Sequence, residues 1–309
     1  MNKKKILLTG ASGMVGKNLL EHSEIDRFNV LTPNRKTLDL LNYESVLNYI
    51  KKHQPELIIH AAGKVGGIQA NIREPINFFI SNLDIGRNLI LASYQLGIKK
   101  IFNLGSSCMY PRNSSGIFTE DMILKGELEP TNEGYALAKI ATAKFCDYIR
   151  REDSSFEYKT IIPCNLYGKY DKFHPSDSHL IPAIIHKIHQ AKINKETVEI
   201  WGDGNVRREF MYAADLADFL IKAIEDFDSI PEYINVGLGE DYTISEYYKI
   251  VANVLEFHGQ FSYSPYKPNG MERKLLNVQE QKKLGWSPKT TIEAGIKKSY
   301  EYYLKEYLK

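Results

Sequence analysis

Short apolar runs alternate with longer amphipathic stretches through the first half of the chain. Residues 5–9, 29–32, 57–60, 100–104 and 160–163 are near-continuous hydrophobic segments of strand length, the pattern of parallel strands buried on both faces. Between them, 44–53, 75–97 and 134–151 repeat apolar residues at helical spacing. Strands and helices in alternation make βαβ units, which predicts an α/β fold of the Rossmann type with a doubly wound parallel sheet. After about Asn165 the pattern loosens, with helices expected over 178–191 and 243–256 and a basic, aromatic C-terminal tail. The expected division is a first domain over 1–165 and a smaller C-terminal lobe over 166–309. Within that lobe about 211–240, carrying 215–226 and the run Tyr233-Ile234-Asn235-Val236-Gly237, is expected to return to the first domain. No repeat of solenoid period is present.

Composition narrows the partners rather than the fold. A chain of 309 residues with 43% hydrophobic and 25% charged content can bury a sizeable core, and a net charge of +2 exerts no broad pull on nucleic acid or membrane. A small-molecule partner is therefore expected. The N-terminus Met1-Asn2-Lys3-Lys4-Lys5 is basic, but the apolar run Ile6-Leu7-Leu8 stops at Thr9-Gly10, too short for an export or membrane segment, so a cytoplasmic enzyme is expected. Cys108, Cys146 and Cys164 form no CxxC pair and cannot all be paired within one chain, which indicates neither a disulfide framework nor a zinc site, nor any other metal.

The first strand runs into Gly10-Ala11-Ser12-Gly13-Met14-Val15-Gly16 and then an apolar helix. Glycines there allow a tight turn and let backbone approach a pyrophosphate, whose charge sits at the helix N-terminus. Any tight strand-to-helix turn favours glycine, so it is the placement that points to a dinucleotide. The second strand is followed by Pro33-Asn34-Arg35-Lys36, where NAD-specific proteins usually place an acid. Cations there suit a ribose 2′-phosphate, hence NADPH, although Arg35 and Lys36 also read as a solvated loop pair. Asp39 is a candidate adenine contact, and Ala61 and Ala62, in His60-Ala61-Ala62-Gly63, are small enough to lie beside a cofactor.

Tyr135 and Lys139 are four residues apart on one expected helix and so face the same way. An ammonium beside the phenol is expected to favour the phenolate and bring its acid/base chemistry toward neutrality. Tyr263-Ser264-Pro265-Tyr266-Lys267 matches the same spacing, but its proline argues against a helix. Ser106, expected where the 100–104 strand ends, completes a set in which serine bonds a carbonyl oxygen, tyrosine gives the proton and lysine holds the nicotinamide ribose. Cys108 and His179 carry groups suited to proton transfer at the carbons beside a ketone. By residue type alone they read sooner as a buried small hydrophobe and a polar surface or core histidine.

Longer strings decide between those readings. His60-Ala61-Ala62-Gly63-Lys64-Val65-Gly66-Gly67, Gly105-Ser106-Ser107-Cys108-Met109-Tyr110-Pro111 and Leu128-Glu129-Pro130-Thr131-Asn132-Glu133-Gly134-Tyr135-Ala136 resemble the GDP-L-fucose synthase family, extended short-chain dehydrogenase/reductases. So do Asn165-Leu166-Tyr167-Gly168, Asp171-Lys172-Phe173-His174-Pro175-Ser176-Asp177-Ser178-His179, Arg208-Glu209-Phe210, Lys267-Pro268-Asn269-Gly270 and Leu284-Gly285-Trp286. The resemblance implies a homodimeric NADPH enzyme that epimerises GDP-4-keto-6-deoxy-D-mannose at C3 and C5 and then reduces C4. It implies Cys108 and His179 as the epimerisation pair, and it extends the cofactor contacts to Leu104, Gly105, Ser106, Lys139, Pro163, Asn165, Leu166 and His179. Lys187, Trp201, Arg208 and Asn269 stand where that family holds the GDP-sugar; Arg208 alone would suit a diphosphate.

The chain departs from the family on the substrate side. Asn269 replaces a common aspartate, Cys164 a threonine, and Tyr212-Ala213-Ala214-Asp215 a His-Val-Asp-Asp type sequence. These changes leave open a C4 reductase without epimerase activity on another GDP-4-keto sugar such as a heptose. A dinucleotide-binding sensor or scaffold is a third reading, opposed by the presence of Ser106, Tyr135 and Lys139 together. A nucleotide-sugar 4-epimerase or 4,6-dehydratase is opposed by the setting of Cys108 and His179.

Overall fold

The computed structural model describes residues 3–113, 117–174, 177–266 and 271–307. From the N-terminus, β1 (Lys5–Thr9), α1 (Met14–Leu20), β2 (Asn29–Leu31), α2 (Tyr43–His53) and β3 (Leu57–His60) lead through a short α3 (Ile68–Arg73) to the long α4 (Pro75–Gln95). Next come β4 (Lys100–Leu104), β5 (Ile117–Phe118), α5 (Glu133–Glu152), β6 (Glu157–Pro163) and β7 (Asn165–Tyr167). The second half holds α6 (Leu180–Asn194), β8 (Val198–Trp201), β9 (Arg207–Arg208), β10 (Phe210–Tyr212), α7 (Ala213–Glu225) and β11 (Tyr233–Val236). It closes with β12 (Tyr242–Thr243), α8 (Ile244–Val254), β13 (Phe261–Ser264), β14 (Arg273–Leu276), α9 (Gln279–Lys283) and α10 (Ile292–Tyr307).

Six strands make one parallel sheet in the order β11-β6-β4-β3-β1-β2. Alternation along β1 divides its two faces. Ile6 and Leu8 pack with Leu19 of α1 and Leu216 and Leu220 of α7, while Leu7 packs with Val46 and Ile50 of α2 and Leu89 of α4. The chain steps from β1 outward to β2 and then crosses to β3 on the other side. Loops after β1 and β3 therefore diverge, and the crevice at that reversal is where such sheets bind ligands.

The return to this sheet is made by α7 and β11. Leu216, Phe219 and Leu220 are wholly buried, each contributing about 1.5–3 kcal/mol by the usual burial scale. Val236 pairs with Pro163, which extends the sheet beyond β6. The lobe has its own core, in which Ile181 and Ile185 of α6, Tyr247 and Val251 of α8 and Tyr303 of α10 pack with Phe173 and Phe210.

Two differences from the sequence expectation have plain causes. Strand β6 begins at Glu157 rather than at 160, because Glu157, Tyr158 and Lys159 pair with Lys100, Ile101 and Phe102. Charged residues there hide the run. The C-terminal tail is a helix: Ile292, Ile296 and Tyr303 are buried on one face, at helical spacing that the surrounding lysines and tyrosines obscure. Among the described residues the three cysteines are free, and no helix is long and apolar enough to cross a membrane.

Candidate active site

The site begins at a backbone constraint. Gly10 has φ +74, and a Cβ there would lie 2.7 Å from the Ala61 carbonyl carbon and the Ala62 nitrogen. Glycine is what lets β1 turn while touching the end of β3. At Gly16 a Cβ would collide with the Gly10 carbonyl, so this third glycine packs the helix onto its own loop. Gly13 caps α1 with no side-chain bond and no acid in the first turn, which leaves helix N–H groups to meet an anion. These features fit a pyrophosphate-bearing dinucleotide.

One cleft of about 970 Å³ runs from this loop across the strand ends. Gly10, Ser12, Gly13, Met14 and Val15 line it, as do Arg35, Asp39, Ala61 and Ala62. Gly16 lies behind the lining and is buried. Arg35 is 79% exposed at its side chain, with Nε 4.0 Å from Asp39 Oδ1, so its guanidinium is held loosely. Lys36 is exposed and does not line the cleft. His60 beneath the floor shares a 2.9 Å hydrogen bond between Nδ1 and Thr9 Oγ1. Burial, helped by the nearby Lys139 charge, pushes its imidazole down to about 3 and keeps it neutral.

Leu104, Gly105, Ser106, Cys108, Tyr135, Lys139, Pro163, Asn165, Leu166 and His179 line the same cleft. Strand β4 ends at Leu104, and Ser106 stands two residues beyond it, capping a 3-10 turn over Ser107–Met109. Its Oγ accepts the Cys108 N–H at 3.2 Å, and its hydroxyl, near the Tyr135 phenol, favours the ionised form of that phenol. Lys139 Nζ donates to the Leu104 carbonyl at 2.9 Å and lies 6.0 Å from the Tyr135 ring centroid. Burial lowers the Lys139 ammonium to about 8. Burial also raises the Tyr135 phenol, with Cys108 adding and the Ser106 hydroxyl opposing. The expected push toward phenolate is thus reversed by solvent exclusion, and Lys139 gives its hydrogen bond to a carbonyl and not to the phenol oxygen. A phenol that keeps its proton is suited to donating it.

His179 caps α6 with extended backbone. Its Nδ1 is buried and 3.6 Å from Asp171 Oδ1, a carboxylate that is 5% exposed and accepts the Lys172 N–H at 2.8 Å. At that distance the two form no hydrogen bond, and the contact is an ion pair only for a protonated ring. Cys108 Sγ receives the Asn132 Nδ2 donor at 3.2 Å and Lys274 Nζ at 3.4 Å. Asp171, Asn132 and Lys274 were not picked out by sequence reading. The first two lie inside the strings 171–179 and 128–136 that carry the family resemblance; Lys274 lies in a segment with no motif of its own.

Arg208 also lines the cleft. It is half-buried, and desolvation lowers its guanidinium while Glu129 and Cys108 pull the other way. Strand pairing sets it opposite Lys274 and Tyr242. Lys187 and Trp201 are not in the lining. They stand together outside it, the Lys187 ammonium 5.0 Å from the Trp201 ring centroid and Trp201 Nε1 donating to Glu199 at 3.1 Å. Asn269 lies outside the described residues.

Comparison with known proteins bears on this geometry. The chain matches the NAD dependent epimerase/dehydratase family over residues 6–237. It is 56% identical over 303 residues to a GDP-L-colitose synthase of Yersinia pseudotuberculosis, covering 98% of each chain. Over 302 residues it is 46% identical to a GDP-L-fucose synthase of Azorhizobium caulinodans, covering 97% of this chain and 96% of that one. Among solved structures, it is similar to a GDP-mannoheptose C4 reductase from Campylobacter jejuni with NADP bound, at TM-score 0.87 and 32% identity, with 98% of this chain and 99% of that chain covered.

Proposed function

The chain belongs to the NAD dependent epimerase/dehydratase family, among the GDP-L-fucose and GDP-L-colitose synthases, and from that premise we propose that it reduces the C4 ketone of a GDP-4-keto-6-deoxy sugar after epimerising the ring. It is an NADPH-dependent oxidoreductase. The observation that carries the reading is that Ser106, Tyr135 and Lys139 share one cleft with Cys108 and His179 and with the glycine loop.

NADPH, when bound, supplies the hydride. Gly10, Gly13 and the start of α1 receive its pyrophosphate, and Lys139 holds the nicotinamide ribose. Ser106 bonds the sugar carbonyl oxygen, and Tyr135 gives that oxygen its proton as negative charge develops. Arg208 pairs with the sugar diphosphate. Cys108 and His179, from different elements, remove and return protons at carbon. Arg35 recognises the 2′-phosphate; Arg35→Ala is expected to raise KM for NADPH about tenfold and leave NADH unchanged, as loss of one exposed charge-assisted bond implies. Initial rates with both cofactors check this.

The decisive experiment is turnover of GDP-4-keto-6-deoxy-D-mannose with NADPH in deuterated water, with a no-enzyme control. Carbon-bound deuterium in the product together with NADPH loss supports the epimerase and reductase. NADPH loss without it leaves a C4 reductase, and tight NADPH binding without turnover would favour a sensor. The 56% identity to a GDP-L-colitose synthase favours a second substrate. L-Colitose is L-fucose without the 3-hydroxyl, so the 3-deoxy ketosugar is offered beside the 3-hydroxy one and the kcat/KM values are compared.

A homodimer fits the surface. Helices α4 and α5 lie side by side in parallel, Gly134 beside Phe79 and Gly86 beside Thr142. Their outer faces expose Ile76 and Ile80 on one and Leu137 and Tyr148 on the other, stripes at helical spacing that a second copy would cover. Ile80→Glu is expected to convert the dimer to monomer by light scattering, with secondary structure retained. A cytoplasmic location accords with the supply of NADPH and GDP-sugars inside the cell.

A further inference from the structure

The sulfur of Cys108 is held by two nitrogen donors from remote parts of the chain, Asn132 Nδ2 at 3.2 Å and Lys274 Nζ at 3.4 Å. Lys274 is 7% exposed, and an ammonium so buried requires an electron-rich neighbour. Its Nζ is aimed at the sulfur. The backbone that carries it is fixed on both sides. The Glu209 N–H donates to the Lys274 carbonyl at 3.2 Å. The Glu209 carboxylate accepts N–H groups of Leu276 and Gly239 at 2.9 and 2.8 Å. One residue earlier, Arg273 Nε is 2.5 Å from Asp241 Oδ2. β14 cannot slide without breaking these contacts, so the distance from Lys274 to Cys108 is a property of the fold.

We propose that Lys274, assisted by Asn132, is the positioning residue of proton abstraction at carbon, holding the Cys108 sulfur in place with its negative charge paired before substrate arrives. The proposal rests on the epimerase reading above. In the step, the anionic sulfur takes a proton from carbon beside the ketone. An S–H bond forms as the C–H bond breaks, and the electron pair moves into an enolate whose oxygen faces Ser106 and Tyr135. His179 gives a ring proton back to that carbon on the opposite face. Proton exchange with water then resets both groups. A sulfur with two N–H donors presents its remaining lone pair in a fixed direction, whereas a free thiol rotates.

The test compares Lys274→Met, Lys274→Arg and Asn132→Ala with the parent enzyme. Cys108 alkylation by iodoacetamide, mapped by mass without substrate, reads the sulfur directly; Cys146 and Cys164 are buried. Lys274→Met is expected to slow that alkylation about tenfold, since reactivity follows the anionic fraction. Deuterium wash-in should fall about a hundredfold, in the range of a lost acid/base contribution, and by at least about ten times more than ketone reduction. Lys274→Arg should recover most of both, and Asn132→Ala should move both in the same direction as Lys274→Met. NADPH affinity reports that each variant is folded. Alkylation at the parent rate overturns the proposal, as does a change confined to KM for the GDP-sugar, which would make Lys274 a substrate ligand. If the parent enzyme itself washes in no deuterium, the epimerase reading fails, while the alkylation rates still decide whether Lys274 governs the sulfur.

Discussion

Tyr135→Phe is expected to lower NADPH oxidation at least about a thousandfold, within the range for removing a general acid that acts at the reacting atom. Tyr135 shares the cleft with Ser106, and solvent exclusion keeps its proton in place, so the phenol is placed as donor and the ring alone cannot replace it. The phenylalanine fills the same space, and Lys139 keeps its bond to the Leu104 carbonyl. NADPH affinity measured by fluorescence should therefore change less than about threefold, giving the pattern of a lost transition-state contact rather than lost binding. Deuterium wash-in should persist, because the Cys108 sulfur does not depend on the phenol. A variant that retained a tenth of the parent rate would remove Tyr135 from the role of acid.

Cys108→Ala is expected to do the reverse. Wash-in of deuterium at ring carbon should fall by about two to four orders of magnitude, the span of general-base catalysis, while NADPH oxidation continues within about tenfold of the parent on the same ketosugar. The product would then keep the ring configuration of the substrate beside the reduced carbon, which proton coupling constants in its NMR spectrum read out. Side-chain loss here leaves the Lys274 ammonium, 3.4 Å from the former sulfur, without that neighbour in a buried setting, so some loss of stability is expected. Retained wash-in in this variant would transfer the base to another group. Loss of both activities with NADPH binding intact would point to Cys108 placing the sugar instead of the proton.

The two variants mark what was legible in the sequence. Tyr135 and Lys139 could be paired because a helix places residues four apart on one face, and the glycine loop because its strand and helix are adjacent in sequence. β1, β3 and β4 could be read because they are buried on both faces and so carry unbroken apolar runs. The start of β6 could not, since Glu157 and Lys159 place charges in a strand that only pairing with β4 accounts for. Lys274 was invisible for a different reason. It is 166 residues from Cys108, and its placement depends on β14 lying beside β9, a register that no local spacing encodes. The opposite reversal at Tyr135 came from solvent exclusion, which residue types alone do not reveal. Lys187 and Trp201 were singled out by resemblance, and the structure sets them in contact with each other beside the cleft.

The interleaved chain path restricts how this protein can be cut or recombined. A gene fragment ending at residue 165 would encode the glycine loop, the serine, tyrosine and lysine, and five of the six strands. It would leave β6 as an open edge where β11 belongs, and it would strip α7 from Leu19 and the rest of that sheet face. Such a fragment should expose a hydrophobic surface and a row of unpaired backbone groups, the usual recipe for edge-to-edge aggregation. The complementary fragment would carry the missing strand with nothing to pair it. A change of specificity by exchanging whole lobes between relatives is thus closed off at this junction, which leaves grafted loops and point substitutions around the cleft as the accessible route.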